Sequence, residues 1–328
     1  MNKNKLGKTN LEVTELGLGG LFVSSFGSEF KQAKKAILKA LELGINYVDT
    51  APGYADSEEV LGKVLKDIEK PVILSTKLGG RPQPFHPRDK SCLRESVEKS
   101  LELLHRDFID ILFIHEPDRP GQYDWWTDKD NYEGPVMELL SELKKEGIIK
   151  YTGLGGTTAY QLAEIMRTGK FDVVLTAFNY SLLWREAEHE VLPAAREQNM
   201  GVIIGSPLQQ GALARCYRKE VKEKPSWLSS PRQQQFLALY DLVDELDMSL
   251  PELALRFVIS NPLVSCVLTG ARSAEEVEAN VASVEKGILP EDILKRLDEI
   301  AEMVPFRPFE EPFSLPFGRE YEGPGRAG

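Results

Sequence analysis

Cysteine is scarce. The three in this 328-residue chain, Cys92, Cys216 and Cys266, are odd in number and far apart, so they form neither a disulfide framework nor the paired spacing of a zinc site. A basic excess is missing as well: 40 Lys and Arg stand against 51 Asp and Glu, a formal net charge of -11. That balance speaks against a nucleic-acid partner, whose phosphates are bound by clustered Lys and Arg. Long apolar runs are also absent. Met1 to Thr9 is polar and lysine-rich, with no apolar stretch that would make a signal peptide or a membrane span. The expectation is a cytoplasmic protein without a membrane partner, and 42% apolar with 28% charged residues is the mix of a soluble globular chain.

Apolar, β-branched runs alternate with helical patterns along the whole chain. Strands are expected at Glu15–Leu18, Ile45–Asp49, Val72–Lys77, Ile109–His115, Tyr151–Leu154, Val173–Phe178, Val202–Ser206 and Val264–Leu268. Helices are expected at Phe30–Leu43, Ser57–Asp67, Arg88–Leu104, Gly134–Glu146, Thr158–Gly169, Glu186–Gln198, Gln233–Leu246, Leu250–Ser260 and Ala274–Val284. Eight strand–helix units close into a (β/α)8 TIM barrel, whereas an open doubly wound sheet usually stops near ~6 strands. The reading is therefore one α/β barrel domain over residues 1–328, with Leu6–Val13 as an N-terminal β-hairpin cap and residues 304–328 as an irregular tail.

In such a barrel the working residues sit at the C-terminal ends of the strands. Three runs end abruptly in polar residues: one in Asp49 followed by a small-residue turn and Tyr54, one in Lys77, one in His115. Taken singly, each has a structural explanation, such as a turn cap, a packing ring, a solvated lysine or a core histidine. Gathered on one rim, they make a proton-transfer site. A phenol with a pKa of about 10 donates poorly at neutral pH unless its phenolate is stabilised. A lysine ammonium does that, a buried ammonium needs a carboxylate such as Asp49, and His115 orients the substrate oxygen. No metal ligand set accompanies the four. A proton donor for a carbonyl oxygen also calls for a hydride source, which no side chain provides, so a nicotinamide cofactor is expected.

With these residues in view, the chain from residue 1 to about residue 303 resembles the aldo-keto reductase family. The matching motifs are Asp-Thr-Ala-Pro-Gly-Tyr (Asp49–Tyr54), Ser-Thr-Lys (Ser75–Lys77), His115, Ser-Pro-Leu-Gln-Gln-Gly-Ala-Leu (Ser206–Leu213) and Thr-Gly-Ala-Arg-Ser (Thr269–Ser273) with the later Asn280. The resemblance implies that Tyr54 is the general acid/base, that Asp49 and Lys77 tune it, and that His115 orients the carbonyl. It implies cofactor contacts at Gly20, Asp49, Gly155, Gly156, Asn179, Ser206, Pro207, Leu208, Gln210, Gly211, Gly270, Arg272, Glu276 and Asn280. Substrate contacts are implied at Phe22, Tyr54 and His115. Where the family often has Ser-Asn after the fifth strand, this chain has Gly155-Gly156 before Thr157 and Thr158, so Thr157 or Asn179 is expected to take over the nicotinamide amide, with Tyr180 stacking on its ring. The glycine run Gly17 to Gly20 is a turn, since no helix with an acidic partner follows at the Rossmann distance.

Cofactor choice is divided. Arg272 before a helix N-terminus suits the 2′-phosphate of NADP, whereas Glu276 suits the free ribose of NAD. The expectation is NADP, with NAD as the alternative. Two aromatic stretches interrupt the alternation. In Asp118–Pro135, the rings of Tyr123, Trp125 and Trp126 are expected to stack on a sugar-like or cyclic substrate, with Asp124, Asp128, Asp130 and Asn131 as hydroxyl acceptors. The tail carries Phe306, Phe309, Phe313, Phe317 and Tyr321 among prolines and is expected to overhang the same pocket. The alternative for both stretches is a contact in a homo-oligomer. The functional expectation is an oxidoreductase acting on a small-molecule carbonyl or sugar, the alternative a catalytically idle barrel serving as a binding or accessory subunit; a lyase or isomerase would need a rim carboxylate or phosphate site that the motifs lack.

Overall fold

In the computed structural model, residues 1–308, 311–312 and 314–321 are described. Two short strands, β1 (Lys3–Lys5) and β2 (Glu12–Thr14), pair antiparallel. Leu6 and Val13 of this hairpin have no solvent exposure and pack with Tyr47, Ile111, Phe113, Val173, Leu175, Ile203, Cys266 and Leu268. The hairpin thus plugs one end of the barrel with apolar side chains.

The remaining elements follow as β3 (Leu16–Gly19), α1 (Phe30–Glu42), β4 (Tyr47–Asp49), α2 (Ser57–Leu65), β5 (Ile73–Leu78), α3 (Lys90–Leu104) and β6 (Ile109–His115). Then come α4 (Pro135–Glu146), β7 (Ile149–Gly156), α5 (Tyr160–Met166), β8 (Val173–Ala177), α6 (Val191–Glu197), β9 (Gly201–Gly205) and α7 (Arg218–Glu223). The last are α8 (Ser230–Glu245), α9 (Leu250–Ile259), β10 (Cys266–Gly270), α10 (Ala274–Glu285) and α11 (Glu291–Glu302). Strands β3 to β10 are parallel and close into a barrel, β10 pairing with β3. Side-chain alternation is what lets one strand feed two cores: along β6, Ile111 and Phe113 join the lumen cluster, while Leu112 and Ile114 join the layer under the helices. No helix among the described residues is long and apolar enough to cross a membrane.

Helix starts follow local chemistry. Asp89, Ser229, Ser249 and Ser273 each accept a backbone N–H of the first turn of α3, α8, α9 and α10. The helix expected from Glu186 instead begins at Val191 after a 3-10 turn at Glu186–Glu188, which leaves Pro193 in the first turn, where its missing N–H costs nothing. Helix α11 lies beyond the last expected helix, and Ile293, Leu294, Leu297, Ile300 and Ala301 carry its apolar stripe, with Leu297 and Ala301 buried.

The described part of the tail meets the segments that follow β8 and β9 and the start of α8. Glu311 accepts hydrogen bonds from Arg232 (2.6 Å) and from the Trp184 indole (2.8 Å), and Phe317 stacks on Tyr217 with ring centroids 4.6 Å apart. Phe306 is 54% exposed beside His189, and Phe309 and Phe313 lie outside the described residues.

Candidate active site

Asp49 ends β4, Lys77 is next to last in β5, and His115 ends β6. These strands are neighbours, with Asp49 in register with Ser75 and Lys77 with Phe113, so three consecutive strands deliver their polar ends to one rim. Tyr54 arrives from the turn after β4, where its N–H donates to Ala51 O at 3.0 Å.

Lys77 Nζ donates to Asp49 Oδ2 at 2.6 Å and to Thr50 O at 2.8 Å, with both charged side chains almost fully buried. Asp49 Oδ1 takes the Ser75 hydroxyl at 2.7 Å, and Ser75 Oγ lies 2.7 Å from Tyr47 Oη, so the carboxylate is held from two sides. The ammonium stands 4.8 Å from the centre of the Tyr54 ring, and the His115 ring meets Tyr54 edge-on at 6.1 Å. The four residues therefore form one contiguous group.

Electrostatics assigns them different protonation states. Burial works to lower the Lys77 pKa, but Asp49 and Tyr54 outweigh it and the net shift is upward, so the ammonium stays charged. Burial, followed by the charge of Lys77, drives His115 down to about 3, leaving a neutral imidazole whose Nδ1 has no hydrogen-bond partner. For Tyr54, burial is the largest influence and raises its pKa, with Lys77 pulling the other way. The phenol is therefore protonated at neutral pH with a cation beside it, which is the state of a proton donor. Among the described residues no three His, Cys, Asp or Glu side chains are grouped to hold a metal ion.

Motif reading overlooked the next residue. Glu116 has a left-handed backbone (φ 49°), donates its N–H to Gly155 O at 2.7 Å and accepts the Thr157 hydroxyl on Oε2 at 2.7 Å. Burial raises its pKa to about 7. Two residues on, buried Asp118 accepts the N–H groups of Thr157 and Thr158, at 3.0 and 2.6 Å, and the Thr158 hydroxyl. The glycine pair of β7 divides between two surroundings: a Cβ on Gly156 would meet Asp118 Oδ1 at 2.7 Å, whereas one on Gly155 would face Lys77 Cε at an ordinary 3.7 Å. Gly156 is thus required by the Asp118 anchor, whereas a Cβ at Gly155 would make only ordinary contacts with Ile114, Phe113 and Lys77.

The other expected cofactor residues lie on adjoining parts of the rim. Ser206 and Gln210 follow β9 with left-handed φ of 54° and 52°; Pro207 is buried, Ser206, Leu208 and Gly211 are half-buried, and Gln210 is exposed. Its neighbour Gln209 is buried and spans to Phe178 O at 2.7 Å, tying the loop after β9 to the loop after β8. Asn179 donates to Thr157 O at 3.0 Å, linking the ends of β7 and β8. Gly20 is buried in the 3-10 turn after β3. Gly270 ends β10, and the Arg272 guanidinium lies 5.1 Å from the centre of the Phe22 ring, so Phe22 lies beside the end of β10. Glu276 accepts the N–H of Arg272 at 2.8 Å, and Asn280 follows one turn later on the same face of α10.

The aromatic expectations need correction. Trp125 and Trp126 are 0% and 4% exposed, and their indole N–H groups donate to His115 O and Pro117 O, each at 3.0 Å. They brace the loop from beneath and present no face to a substrate, because an indole in a dry layer needs a carbonyl for its N–H. Tyr123 is the half-buried ring of this stretch that faces the rim, its centroid 6.4 Å from that of His115. Asp124 pairs with Arg88 at 2.6 Å and Asp128 accepts the N–H groups of Asp130 and Asn131, so these acceptors serve the loop itself. Tyr180 is 3% exposed, packs on Phe257 at 5.3 Å and is hydrogen-bonded to Asn261, so it does not stack on a bound ring.

Residues 15–302 match the profile of the Aldo/keto reductase family. The chain is similar to "Uncharacterized oxidoreductase YqkF" of Bacillus subtilis, 30% identical over 308 residues covering 90% of this chain and 95% of the relative. L-galactose dehydrogenase of Arabidopsis thaliana is 30% identical over 295 residues, covering 85% and 86% of the two chains. Among solved structures, the aldo-keto reductase AKR11C1 from Bacillus halodurans in its holo form superposes with a TM-score of 0.76 at 30% identity, covering 93% of this chain and 97% of its own.

Proposed function

The chain belongs to the aldo/keto reductase family and is an oxidoreductase, and we propose that it moves hydride between a nicotinamide dinucleotide and a hydroxylated, sugar-like carbonyl compound or the corresponding alcohol, with Tyr54 as general acid/base. The observation that carries this reading is the buried Lys77 ammonium, bonded to Asp49 at 2.6 Å and lying 4.8 Å from the Tyr54 ring centre.

The nicotinamide supplies the hydride when bound. The chain's own groups handle the proton: Tyr54 gives it to the developing alkoxide, and Lys77 offsets the phenolate that remains. Asp49 keeps Lys77 charged in a site that would otherwise neutralise it. The neutral imidazole of His115 hydrogen-bonds the carbonyl oxygen without competing for the proton. Residues at the ends of β9 and β10 fit a dinucleotide. The Arg272 guanidinium has no carboxylate partner among the described residues and precedes the N-terminus of α10, a setting for a phosphate. Ser206, Leu208, Gln210 and Gly211 line the approach, Gly270 and Asn280 flank the Arg272 side, and Asn179, Thr157 and Gly155 stand at the nicotinamide end. Because Glu276 is engaged with a backbone N–H, Arg272 tips the reading to NADP. The sugar-like class rests on the similarity to L-galactose dehydrogenase and on a carboxylate, Glu116, at the rim. The accessory-subunit reading is not favoured, since the proton-transfer group is intact.

The test is direct. Purified protein mixed with D-glyceraldehyde or D-erythrose should oxidise NADPH, and the reverse reaction should run with a sugar and NADP. Failure of every aldehyde, ketone and sugar tried with both nicotinamides would overturn the reading.

A further inference from the structure

We propose that Glu116 determines substrate specificity: its free carboxylate oxygen accepts a hydroxyl hydrogen of the substrate, favouring neutral polyhydroxylated carbonyl compounds and turning away those that carry a carboxylate. The inference deepens the oxidoreductase reading and rests on it.

Three observations carry it. Glu116 follows His115 directly and is held in place at both ends: its N–H is bonded to Gly155 O at 2.7 Å, and Oε2 takes the Thr157 hydroxyl. Its left-handed φ of 49° is uncommon for a residue with a side chain, and such conformations persist where the surroundings impose them. The side chain is 13% exposed, and Oε1 has no hydrogen-bond partner among the described residues, so a buried-rim carboxylate keeps one acceptor open. Oε1 is not one of the fully buried unpartnered atoms, so it reaches solvent at the rim and can be met there by a substrate hydroxyl.

Its surroundings place this acceptor at the reaction rim. From β5, the charge of Lys77 acts on it; from the turn after β4, Tyr54 feels its charge; and from the same loop Tyr123 does so too. Asp118 opposes its ionisation, Arg119 Nη1 lies 3.9 Å from Oε2, and His115 beside it is neutral. With its pKa at about 7, the group is divided between acid and carboxylate near neutrality. Above that pH it is an anion beside the substrate, accepting hydroxyl hydrogens and repelling a second carboxylate; below it, the repulsion fades.

The experiment compares wild type with Glu116→Gln on D-glyceraldehyde, propanal and succinic semialdehyde, with NADPH and with NADH, at about pH 6 and pH 8. Wild type should prefer glyceraldehyde to propanal, and the Gln variant should lose about tenfold of that preference, the size of one charge-assisted hydrogen bond. At pH 8 the variant should raise kcat/KM for succinic semialdehyde relative to propanal by about tenfold, and wild type should show a smaller version of the same rise on going to pH 6. Equal changes on all three aldehydes, or none, overturn the inference while leaving the oxidoreductase reading standing. If no aldehyde turns over with either cofactor, that reading has failed, and the inference is judged on binding: succinate should bind the Gln variant about tenfold tighter than wild type at pH 8, and equal affinities overturn it.

Discussion

The indole nitrogen of Trp125 donates to the backbone carbonyl of His115 at 3.0 Å, joining a fully buried ring to the residue that ends β6. Trp125→Phe removes the donor and leaves a cavity where part of the indole was. It should cost about 2 kcal/mol or more in urea unfolding, the lost bond and the cavity each contributing roughly 1 kcal/mol. Because the ring never faces the substrate, kcat/KM should fall by similar factors for a sugar and for a small aldehyde. A loss confined to sugars would mean that the indole reaches the substrate after all.

Tyr54→Phe removes the proton donor while keeping the ring. Turnover should drop by orders of magnitude, with dinucleotide binding nearly unchanged by fluorescence titration. Lys77→Met should damage turnover similarly, and it should also destabilise the fold by about 3–5 kcal/mol, because Asp49 is left as a buried charge without its cation. Near-normal turnover in the Phe variant would remove Tyr54 from the mechanism.

Arg272→Ala should weaken NADPH binding about tenfold while changing NADH little, as expected when a charge-assisted pair to phosphate is lost. Equal losses for both dinucleotides would show that the guanidinium does not meet the 2′-phosphate. The cation–ring contact with Phe22 is disrupted in either case and is not the discriminating feature.

Glu116 has a folded-state pKa raised to about 7 by burial. The folded protein therefore holds a proton that the unfolded chain releases near pH 4.5, so this group's stabilising contribution is complete below that value and is lost as pH rises towards 7. His115 acts in the opposite sense: its pKa is lowered to about 3, and its cost appears as pH falls below the ordinary imidazole value of 6.5. Subtracting the two proteins isolates the glutamate. Glu116→Gln should gain on wild type by up to roughly 3 kcal/mol between about pH 5 and pH 8, read from denaturant midpoints. A pH-independent difference would contradict the raised pKa.

Much of this architecture is legible in the residues themselves. The run Ile109–His115 reads as a strand because five of its seven residues are apolar, and it is a strand over the same span. The rim of Asp49, Lys77 and His115 follows from the rule that parallel strands end together. Less was legible where direction matters more than composition. Trp125 and Trp126 announce an aromatic loop, yet spacing alone does not say whether an indole faces the pocket or the layer beneath it. Glu116 in Ile-His-Glu-Pro looks like any loop carboxylate, since a left-handed φ at a non-glycine residue has no sequence signal. Helix α11 had a clear signal in its apolar stripe.

The pairing of Gly270 with Gly19 joins the last barrel strand to the first across most of the chain. During synthesis β3 therefore waits with an open edge until β10 has left the ribosome, and every nascent chain short of that point carries two exposed strand edges. Such long-range closure is slow and invites edge-to-edge association. A chain stopped at residue 262, ahead of β10, should accordingly be recovered as aggregate or chaperone-bound material, and a soluble monomer with native-like hydrogen-exchange protection of β3 to β9 would refute this dependence. For this protein, then, the moment of greatest vulnerability is set by where along the chain the closing strand is encoded.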